Sequence, residues 1–540
     1  ALLQMLFRGS NALGYTNYPD NVLRRFIQLS AQSGIDVFRI FDALNWIENM
    51  RVSIDEVLKS GKICEASICY SGDLSSPAEK KYTLEYYLKM AQKLEKMGVH
   101  FLAIKDMAGL CKPKAAKILF KELKKNIKIP IHFHTHDTSG NGVATLLNAS
   151  DAGVDIVDVA IDSWSGFTSQ PSFGAVLESL DGNNRDPKIS SAVVRTAANY
   201  WEGVRKQYQP FESKTRTSMS EVYLHQMPGG QYTNLREQAR SMGITDERWP
   251  ELASMYAEVN KIFGDVIKVT PISKVVGDMA IYMLANNIQI EDVLDPKKDV
   301  GFPASVIEFF SGRLGQPYKG FPKALQKKIL KGKKPINYRF GSKLPSLKIK
   351  NRTKELEKNY NEIISEKDTI SQIFFPEVFD EYMKHKKKFG NTSVIPTSNY
   401  FFGMNTDEEI YVSIEPGKTL IIRYFTLSEP NEKGFRTVYF ELNGQARSVD
   451  IKDSSIAVDD LAKEIADPSN KDHVAAPIPG LLVDVAVTEG IKVPKGAKLC
   501  TIEAMKMETV IYADQPGTVE RLCVKAGENI EAQQLLLIMK

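Results

Sequence analysis

Short apolar runs alternate with amphipathic stretches along the first 235 residues of the chain. Six runs recur at intervals of about 30 residues, namely LLQMLFRG, DVFRIFDA, KICEASICYSG, FLAIKDMAG, PIHFHTHDT and IVDVAIDSWSG. The stretches between them, at residues 19–33, 44–60, 81–98 and 113–126, carry the periodicity of helices with one apolar face. A seventh apolar run, EVYLHQM, follows near residue 221. This alternation predicts βαβ units and a parallel sheet.

Seven predicted strands are one fewer than a closed eight-stranded barrel needs. The chain opens on the apolar segment ALLQMLF, with no start methionine and no charged leader. Because Arg8 and Asn11 interrupt this segment early, it lacks the pattern of a signal peptide. We therefore expect residues 1–235 to form an α/β barrel whose first strand lies upstream of this sequence.

The pattern changes twice in the second half of the chain. Residues 236–391 are rich in Lys, Glu, Leu and Met with little strand alternation, which predicts a helical extension of the barrel. Residues 392–466 contain EIYVSIEPGKTLIIRYF and TVYFELNGQARSVDI, and their alternation and Asn443-Gly444 turn predict a small antiparallel β-barrel. The polar residues 467–474 predict a linker to a last domain at 475–540.

The last domain contains an internal repeat. Its two copies align at an offset of 37 residues, matching Gly480 with Gly517, Gly490 with Gly527, Val493 with Ile530, and Leu499 with Leu536. Two β-rich halves of this kind predict a flattened β-sandwich. The segment EAMKME lies where the halves meet, so we expect Lys506 to be displayed at the tip of a hairpin.

The segment HFHTH, residues 132–136, places three imidazoles on one face of a strand, because side chains two residues apart point the same way. His134 and His136 lie at the carboxyl end of the strand, where barrel enzymes hold their catalytic groups. Such a pair makes half of a divalent-metal site, and a hydrogen-bonded pair of core histidines is the alternative. His132 lies deeper and is interpreted as a packed interior side chain.

Lys105 ends the preceding strand, 29 residues before His134, so we expect the two to be neighbours in the barrel. A lysine here has three interpretations. It is a Schiff-base nucleophile with a lowered pKa, an ion-pair partner of Asp106, or an amine that reacts with carbon dioxide to give a carbamate whose oxygen binds a metal. The neighbouring imidazole pair favours the third.

Composition and charge exclude several classes of function. A chain of 540 residues with 43% hydrophobic and 25% charged residues is typical of a multidomain globular protein. Its apolar runs are shorter than the ~18 residues of a membrane span, and its net charge of +4 does not favour nucleic acid. Five cysteines without metal-site spacing predict reduced thiols in an intracellular protein.

Several long motifs resemble the carboxyltransferase half of the pyruvate carboxylase family. They occur in the family's order as RGSNALGYTNYPDN, GIDVFRIFDALNW, AIKDMAGL, HFHTHDTSGN, MPGGQYTNLREQAR and KVTPISKVVGDMA. YFFGM and VYFELNGQAR resemble its linking or tetramerisation domain. EAMKME resembles the attachment site of biotin carrier domains. A lipoyl domain shares the fold of a biotin carrier domain but usually lacks the Met-Lys-Met pattern. The resemblance implies a TIM barrel with a helical extension, a small antiparallel β-barrel and an all-β biotinyl-lipoyl domain.

The same resemblance implies the roles of the candidate site residues. Lys506 carries covalent biotin, while a divalent metal, Zn²⁺ or Mn²⁺, is bound by carbamylated Lys105 together with His134 and His136. Arg8 holds pyruvate and Thr270 relays a proton between the pyruvate methyl group and biotin. The biotin pocket is lined by Tyr15, Ser273 and Lys274. Taken singly, these residues also have structural explanations: an interior ion pair for Arg8, a packed loop aromatic for Tyr15, a helix cap for Thr270 and a surface charge for Lys274.

The implied activity is transfer of a carboxyl group from carboxybiotin to pyruvate, forming oxaloacetate, as in a biotin-dependent ligase of gluconeogenesis and anaplerosis. The implied partners are a biotin carboxylase domain, a biotin protein ligase and three further copies in a homotetramer activated by acetyl-CoA, with no nucleic acid and no membrane. The implied compartment is the bacterial cytoplasm, or the mitochondrial matrix in a eukaryote.

The chain departs from the family at its start. The family's first barrel strand carries a metal-binding aspartate, and an arginine and a glutamine that contact pyruvate and biotin, and none of these occurs here. The biotin carboxylase half, with its ATP-binding residues, is also absent from the sequence. Two alternatives therefore stay open: another biotin-dependent enzyme with this barrel, such as an oxaloacetate decarboxylase α-subunit or a transcarboxylase subunit, and a truncated carrier or assembly module without catalysis.

Overall fold

The structure, a computed structural model, describes residues 1–212, 217–431, 434–453, 464–467, 470–504 and 507–540. They form two compact units, Ala1–Phe375 and Pro376–Lys540. Lys506, the predicted site of biotin, lies outside the described residues together with Met505. Within the described part of the chain, no helix has both the length and the apolar character required to cross a bilayer.

The first unit is built around a sheet of six parallel strands. They are β1 (Gln4–Arg8), β2 (Val37–Phe41), β3 (Ile63–Cys69), β4 (Phe101–Asp106), β5 (Ile131–Thr135) and β6 (Ile156–Val157). Each strand pairs with the next one in the chain, in the order β1 to β6. All five positions of β2 are buried, so both faces of this strand are covered. This explains why the sequence shows continuous apolar runs instead of alternation.

Five helices follow the first five strands and pack against the sheet. They are α1 (Asp20–Gln32), α2 (Ile47–Lys59), α3 (Leu84–Lys96), α4 (Pro113–Asn126) and α5 (Gly142–Asp151). In α4 the buried residues recur at helical spacing, with Leu119, Phe120 and Leu123 on one face and lysines on the other. Burial of each of these three side chains contributes about 1.5–3 kcal/mol. The four helices predicted from periodicity, α1 to α4, are confirmed.

The rest of the first unit is helical, and from α10 to α16 this agrees with the helical extension predicted for residues 236–391. The helices are α6 (Phe173–Leu180), α7 (Ser191–Tyr208), α8 (Val222–His225), α9 (Gly229–Ser241), α10 (Trp249–Ile262), α11 (Ile272–Ala285), α12 (Ile290–Leu294), α13 (Ala304–Phe310), α14 (Lys323–Leu330), α15 (Ile349–Tyr360) and α16 (Glu366–Phe374). Their buried side chains join those of the sheet and its helices in one hydrophobic core that reaches Phe374.

The prediction of a seventh strand at EVYLHQM is wrong, because Val222–His225 form the single helical turn α8. A strand would place Val222 and Leu224 on the same face, yet Val222 is 1% exposed and Leu224 is 78% exposed. The buried residues are instead Val222 and His225, three apart, which suits a helix. Among the described residues the parallel sheet therefore has six strands.

The second unit begins with helices α17 (Pro376–Phe389) and α18 (Thr397–Phe402) and an antiparallel sheet. Its strands are β7 (Glu409–Glu415), β8 (Lys418–Leu427), β9 (Phe435–Leu442) and β10 (Gln445–Lys452), hydrogen-bonded in the order β10-β9-β8-β7. The predicted turn is present, because Asn443 and Gly444 link β9 to β10 with φ values of 50° and 78°. In these described strands the ladder is open, with β7 and β10 at its edges.

The end of the chain folds into two four-stranded antiparallel sheets. The strands are β11 (His473–Ala475), β12 (Gly480–Val485), β13 (Lys492–Val493), β14 (Lys498–Ala504), β15 (Met507–Tyr512), β16 (Gly517–Leu522), β17 (Asn529–Ile530) and β18 (Leu535–Met539). One sheet has the order β11-β18-β16-β13 and the other β15-β14-β12-β17. Strands β12, β13 and β14 begin 37 residues before β16, β17 and β18, so the internal repeat is confirmed.

Close backbone packing explains the first glycine of the repeat. A Cβ atom on Gly480 would lie 2.4 Å from the carbonyl oxygen of Glu503, on the strand that leads to Lys506. No side chain fits at that distance. Gly480 therefore lets β12 approach β14, which positions the hairpin of β14 and β15.

Candidate active site

A cavity of about 510 Å³ opens in the first unit, at the carboxyl ends of the parallel strands. Five of the predicted site residues line it: Tyr15, Lys105, His134, His136 and Thr270. Its lining also includes residues that the sequence did not single out, namely Gln4, Leu6, Arg39, Met107, Gln170, Pro228, Gly230, Gln231, Asn234 and Val269. The predicted residues Arg8, Ser273 and Lys274 are not part of this lining.

His134 and His136 point their Nε2 atoms at each other, 3.2 Å apart. The Nδ1 atom of His136 lies 2.6 Å from the carbonyl oxygen of Thr168, and the Nδ1 atom of His134 lies 2.7 Å from a carboxylate oxygen of Asp158. A carbonyl and a carboxylate only accept hydrogen bonds, so both rings carry their proton on Nδ1. Both Nε2 atoms therefore present lone pairs to the same point.

Two facing lone pairs require a shared proton or a cation between them. Burial and the neighbouring His134 ring lower the pKa of His136 to about 3. Burial, together with the charge of Lys105, also lowers the pKa of His134. Because protonation is disfavoured on both rings, their two lone pairs are available to a divalent cation. Each ring is also oriented through its other nitrogen, which is the usual arrangement of metal-bound histidines.

Lys105 lies opposite His134 in the parallel register of β4 and β5, as predicted. Its side chain is buried, and its Nζ atom lies 5.0 Å from the ring centre of Phe41. Burial lowers the pKa of this amine to about 8. A neutral amine is the form that reacts with carbon dioxide or with a carbonyl compound, so the environment raises the reactive fraction.

The predicted ion pair between Lys105 and Asp106 does not form. The Asp106 carboxylate instead accepts hydrogen bonds from the backbone of Leu110 and Cys111, at 2.9 and 2.8 Å, and from Thr135 at 3.0 Å. In the part of the chain that the structure describes, the amine of Lys105 has no hydrogen-bonding side chain. That explanation of Lys105 is therefore excluded.

These residues fit a divalent metal. Among the described residues, no group of three His, Cys, Asp or Glu side chains is arranged to hold a metal ion. Lys105 lines the same cavity, and its amine becomes an oxygen donor if it is carboxylated. Imidazole nitrogen with carboxylate-type oxygen is a donor set that suits both Zn²⁺ and Mn²⁺.

A buried network of four charged or ionisable side chains lies beneath the imidazole pair. Arg39 on β2 forms ion pairs with Glu65 on β3 and, at 2.6 Å, with Asp158. His132 donates to both carboxylates, at 2.7 Å to Glu65 and 2.8 Å to Asp158. His132 is thus an interior side chain, as predicted. Arg39 and Glu65 are charged residues inside apolar runs, and this is the sequence signal that could have identified the network.

Arg8 ends β1 beside the cavity, but its guanidinium turns toward the loop that follows. Nη1 donates to the carbonyl oxygens of Leu13 at 2.8 Å and Gly14 at 3.3 Å, and the Tyr15 ring centre lies 5.3 Å away. Burial lowers the pKa of Arg8. Among the described residues its buried Nε atom has no hydrogen-bond partner. The interior ion pair considered for Arg8 is not found in the described part of the chain.

Thr270 lies at the cavity wall, two residues before the start of α11. Ser273, in the first turn of α11, is fully buried, and its Oγ atom has no partner among the described residues. The Nζ atom of Lys274 lies 2.6 Å from Asp278 on the same helix, and Asp278 also accepts from Ser305 at 2.6 Å. Of these three residues, the structure brings Thr270 to the imidazoles and Lys105.

Three family models match parts of the chain. A model described as conserved carboxylase domain matches residues 222–423, one described as HMGL-like matches residues 31–164, and one described as biotin-requiring enzyme matches residues 472–539. The last of these ranges contains the repeat and Lys506.

Relatives and solved structures extend the similarity to nearly the whole chain. The pyruvate carboxylase of Bacillus subtilis (strain 168) is 49% identical over 536 residues, which are 99% of this chain and 47% of that protein. The chain therefore spans about half the length of the curated relatives it matches. The structure of the carboxyl transferase domain from Rhizobium etli pyruvate carboxylase is 50% identical with a TM-score of 0.81, covering 84% of this chain and 76% of that one. A structure of that domain with pyruvate and biocytin gives the same values.

Proposed function

The chain belongs to the pyruvate carboxylase family, and we propose that it performs the carboxyl-transfer step in which pyruvate becomes oxaloacetate. The observation that carries the proposal is the convergence of two unprotonated Nε2 atoms and a buried lysine on a cavity that Thr270 also lines. The similarity to a carboxyl transferase domain with pyruvate and biocytin supports the same step. The biotin-requiring domain at residues 472–539 supplies the covalent carrier, with Lys506 as its attachment site.

Lys105, His134 and His136 would hold the divalent metal, with Lys105 in its carbamylated form. When bound, the metal supplies a Lewis acid for the keto oxygen of pyruvate, and biotin supplies the carboxyl group that is transferred. The choice between Zn²⁺ and Mn²⁺ stays open, because the donor set suits both.

Thr270 is the proposed proton relay. A hydroxyl group accepts a proton at its oxygen while it donates its own hydrogen. Thr270 can therefore take a proton from the pyruvate methyl group and pass one to the biotin ring nitrogen. Carboxybiotin would supply the carboxyl group for the methyl carbon, and the ring nitrogen that loses this group would receive the proton from Thr270. The reaction is balanced, since one proton and one carboxyl group exchange places.

Arg8 is the proposed anchor for the pyruvate carboxylate. Its unpartnered Nε atom is a charged donor, and charged hydrogen bonds to carboxylates are among the strongest in proteins. Lys105 lines the cavity beside Arg8 and, when protonated, adds positive charge there. This potential attracts a small anionic substrate.

The walls of the cavity help to exclude water. Leu6, Met107 and Val269 give it apolar surface beside its polar groups. A dry site protects a carbanion-like substrate from reprotonation by solvent. Tyr15, Ser273 and Lys274 are proposed to contact biotin, which requires Lys274 to leave its bond to Asp278 and the fully buried Ser273 to become accessible.

The wider assembly is also a proposal. A biotin carboxylase domain would load the biotin, a biotin protein ligase would attach it, and four copies of the protein would associate. The domain boundaries predicted from the sequence belong to the same proposal, as do the bacterial cytoplasm or mitochondrial matrix as the compartment.

The proposal is tested by the reverse half-reaction. The purified, metal-loaded protein is incubated with oxaloacetate, and pyruvate release is followed with lactate dehydrogenase. Pyruvate release that depends on biotin and on Thr270 is expected. A fully metal-loaded and biotinylated protein that releases pyruvate no faster than buffer would overturn the proposal and would favour the carrier or assembly module.

A further inference from the structure

Asp158 holds a central position beneath the candidate metal site. It directly follows β6, and its backbone nitrogen donates to the carbonyl oxygen of Phe133 at 3.0 Å. The register of β5 and β6, which pairs Phe133 with Val157, therefore places Asp158 beside His134. Parallel neighbours in register point their side chains the same way, so the carboxylate meets the imidazole without any distortion of the backbone.

The two oxygens of Asp158 have different partners. Oδ2 accepts from Nδ1 of His134 at 2.7 Å and from Nη1 of Arg39 at 2.6 Å. Oδ1 accepts from Nε2 of His132 at 2.8 Å. Three donors from two strands, Arg39 on β2 and His132 and His134 on β5, thus fix the orientation of one carboxylate, and one of these donors is a candidate metal ligand.

The remaining members of the network hold Asp158 in this orientation. Arg39 is also held by Glu65, its neighbour in the register of β2 and β3, and Glu65 accepts from His132 as well. The side chains of Arg39 and Glu65 are 7% and 1% exposed. Because the Arg39 guanidinium is paired with the carboxylates of both Glu65 and Asp158, its rotation would leave a buried charge unpaired, which costs free energy.

The two imidazoles differ in how they are held. His136 donates to a backbone carbonyl, that of Thr168, whereas His134 donates to a carboxylate. An anionic acceptor makes the opposite ring nitrogen more electron-rich than a neutral acceptor does. The two candidate ligands are therefore unequal, and His134 depends on a side chain that can be substituted.

We propose that Asp158 is a positioning residue for the divalent metal: it keeps His134 protonated on Nδ1, so that Nε2 faces the metal, while Arg39, Glu65 and His132 hold the carboxylate. This inference rests on the metal site of the proposed function. Outer partners of this kind typically contribute 10–100-fold to metal affinity. Asp158 touches no substrate in this arrangement and acts through His134.

The first test measures metal affinity without any substrate. The metal-free protein competes with a chromophoric chelator for Zn²⁺, and the variants are Asp158→Ala and Asp158→Asn. We expect Asp158→Ala to weaken Zn²⁺ binding by 10–100-fold and Asp158→Asn, which keeps an acceptor but loses the charge, by about tenfold. Asp155→Asn is the matched control, because Asp155 lies at the other end of the same strand and pairs with Lys124 at the surface.

The second test detects the tautomer of His134 in the metal-free protein. The chain has seven histidines, so a protein labelled with ¹⁵N at histidine gives few signals, and a His134→Gln variant assigns the one of interest. We expect protonation on Nδ1 in the unsubstituted protein and in Asp155→Asn. In Asp158→Ala the signal should shift toward the Nε2-protonated form.

Each outcome decides the proposal. The proposal is overturned if both variants bind Zn²⁺ with unchanged affinity, or if the tautomer of His134 is unchanged in Asp158→Ala. This holds even if the thermal stability of the variants falls, because a carboxylate with only a structural role would lower the stability and leave the affinity and the tautomer unchanged. If Asp158→Ala does not fold, the Zn²⁺ affinity of Asp158→Asn alone decides: weakened binding supports the proposal and unchanged binding overturns it. Neither measurement involves pyruvate or biotin, so a failure of the proposed carboxyl transfer would be seen separately.

Discussion

Lys105 and His134 lie directly opposite each other in the register of two neighbouring parallel strands. Strand β4 delivers the amine and strand β5 the imidazole, and His136 follows two residues later with its Nε2 atom 3.2 Å from that of His134. The three groups meet because the carboxyl ends of parallel strands share one edge of the sheet. The backbone of the sheet, more than any loop, places the candidate metal ligands.

Replacing an imidazole should remove the metal. In a His136→Ala variant the bound metal should fall from about one ion per chain to about a tenth of that or less, because only one imidazole and Lys105 would remain as ligands. Elemental analysis of the purified variant measures this directly. His100→Gln is the control, since His100 accepts a hydrogen bond from Cys64 far from the cavity lining and should keep its metal. Full metal content in His136→Ala would remove His136 from the ligand set.

Removing the hydroxyl of Thr270 should stop transfer without affecting the carrier. Loss of a proton-transfer group typically slows a reaction by about 10²–10⁴-fold, so the rate of oxaloacetate decarboxylation should fall by that factor in Thr270→Ala. Thr270→Ser retains the hydroxyl and should stay within about tenfold of the unsubstituted protein. Biotin content, measured by intact mass, should be equal in all three. A near-normal rate in Thr270→Ala would show that another group relays the proton.

Lys506 is expected to be the only biotinylated residue. Lys506→Arg keeps the charge but not the reactive amine, so biotin should be absent from the intact mass and carboxyl transfer from the tethered carrier should be lost. Lys498→Arg is the matched control, because Lys498 begins β14, the strand that precedes Lys506 in the sequence, and pairs with Asp484 at 2.9 Å at the surface. A biotinylated Lys506→Arg protein would place the attachment elsewhere.

Breaking the buried network should destabilise the first unit. Glu65→Gln removes one carboxylate from between Arg39 and His132, and loss of one partner of a buried ion pair costs about 3–5 kcal/mol. The urea midpoint of unfolding should fall accordingly. In Glu48→Gln, where the exposed pair with Arg51 is 2.9 Å long, the change should be within about 1 kcal/mol. Equal effects of the two substitutions would contradict the account.

The stability difference should also depend on pH. Burial alone would raise the pKa of the Glu65 carboxyl, but the hydrogen bond from His132 and the charge of Arg39 hold it below its usual value. A carboxyl whose pKa is lowered in the folded protein stabilises it above its ordinary pKa. That contribution is lost as the pH falls through the folded pKa. Unfolding curves of the protein and of Glu65→Gln should therefore converge under acidic conditions.

The sequence predicted the parts of the fold that follow from local pattern. Six apolar runs became the six strands, and the 37-residue repeat became two matching sets of strands, because burial and internal symmetry leave a direct trace in the residue order. The apolar run near residue 221 was wrongly predicted to be a strand, because the helical turn that buries Val222 and His225 has the composition of a short strand. Helix and strand are hardest to distinguish in runs this short.

The candidate ligands were predictable, whereas their supporting groups were not. His134, His136 and Lys105 lie at strand ends, where position alone suggests chemistry. Asp158 acts through the register of β5 and β6, and that register cannot be read from either strand by itself. Lys274 was predicted to contact biotin, but in this structure its amine is bound by Asp278, four residues later on the same helix.

The central claim is a divalent metal held by two imidazoles and a carboxylated lysine, and anomalous X-ray diffraction from crystals of the protein tests it most directly. Data recorded at the zinc and manganese absorption edges should show one peak at about 2.0–2.2 Å from Nε2 of His134 and of His136, and from an oxygen on a carboxylated Lys105. A cavity without any anomalous peak, in which the amine of Lys105 is unmodified and turned away from both rings, would contradict the claim.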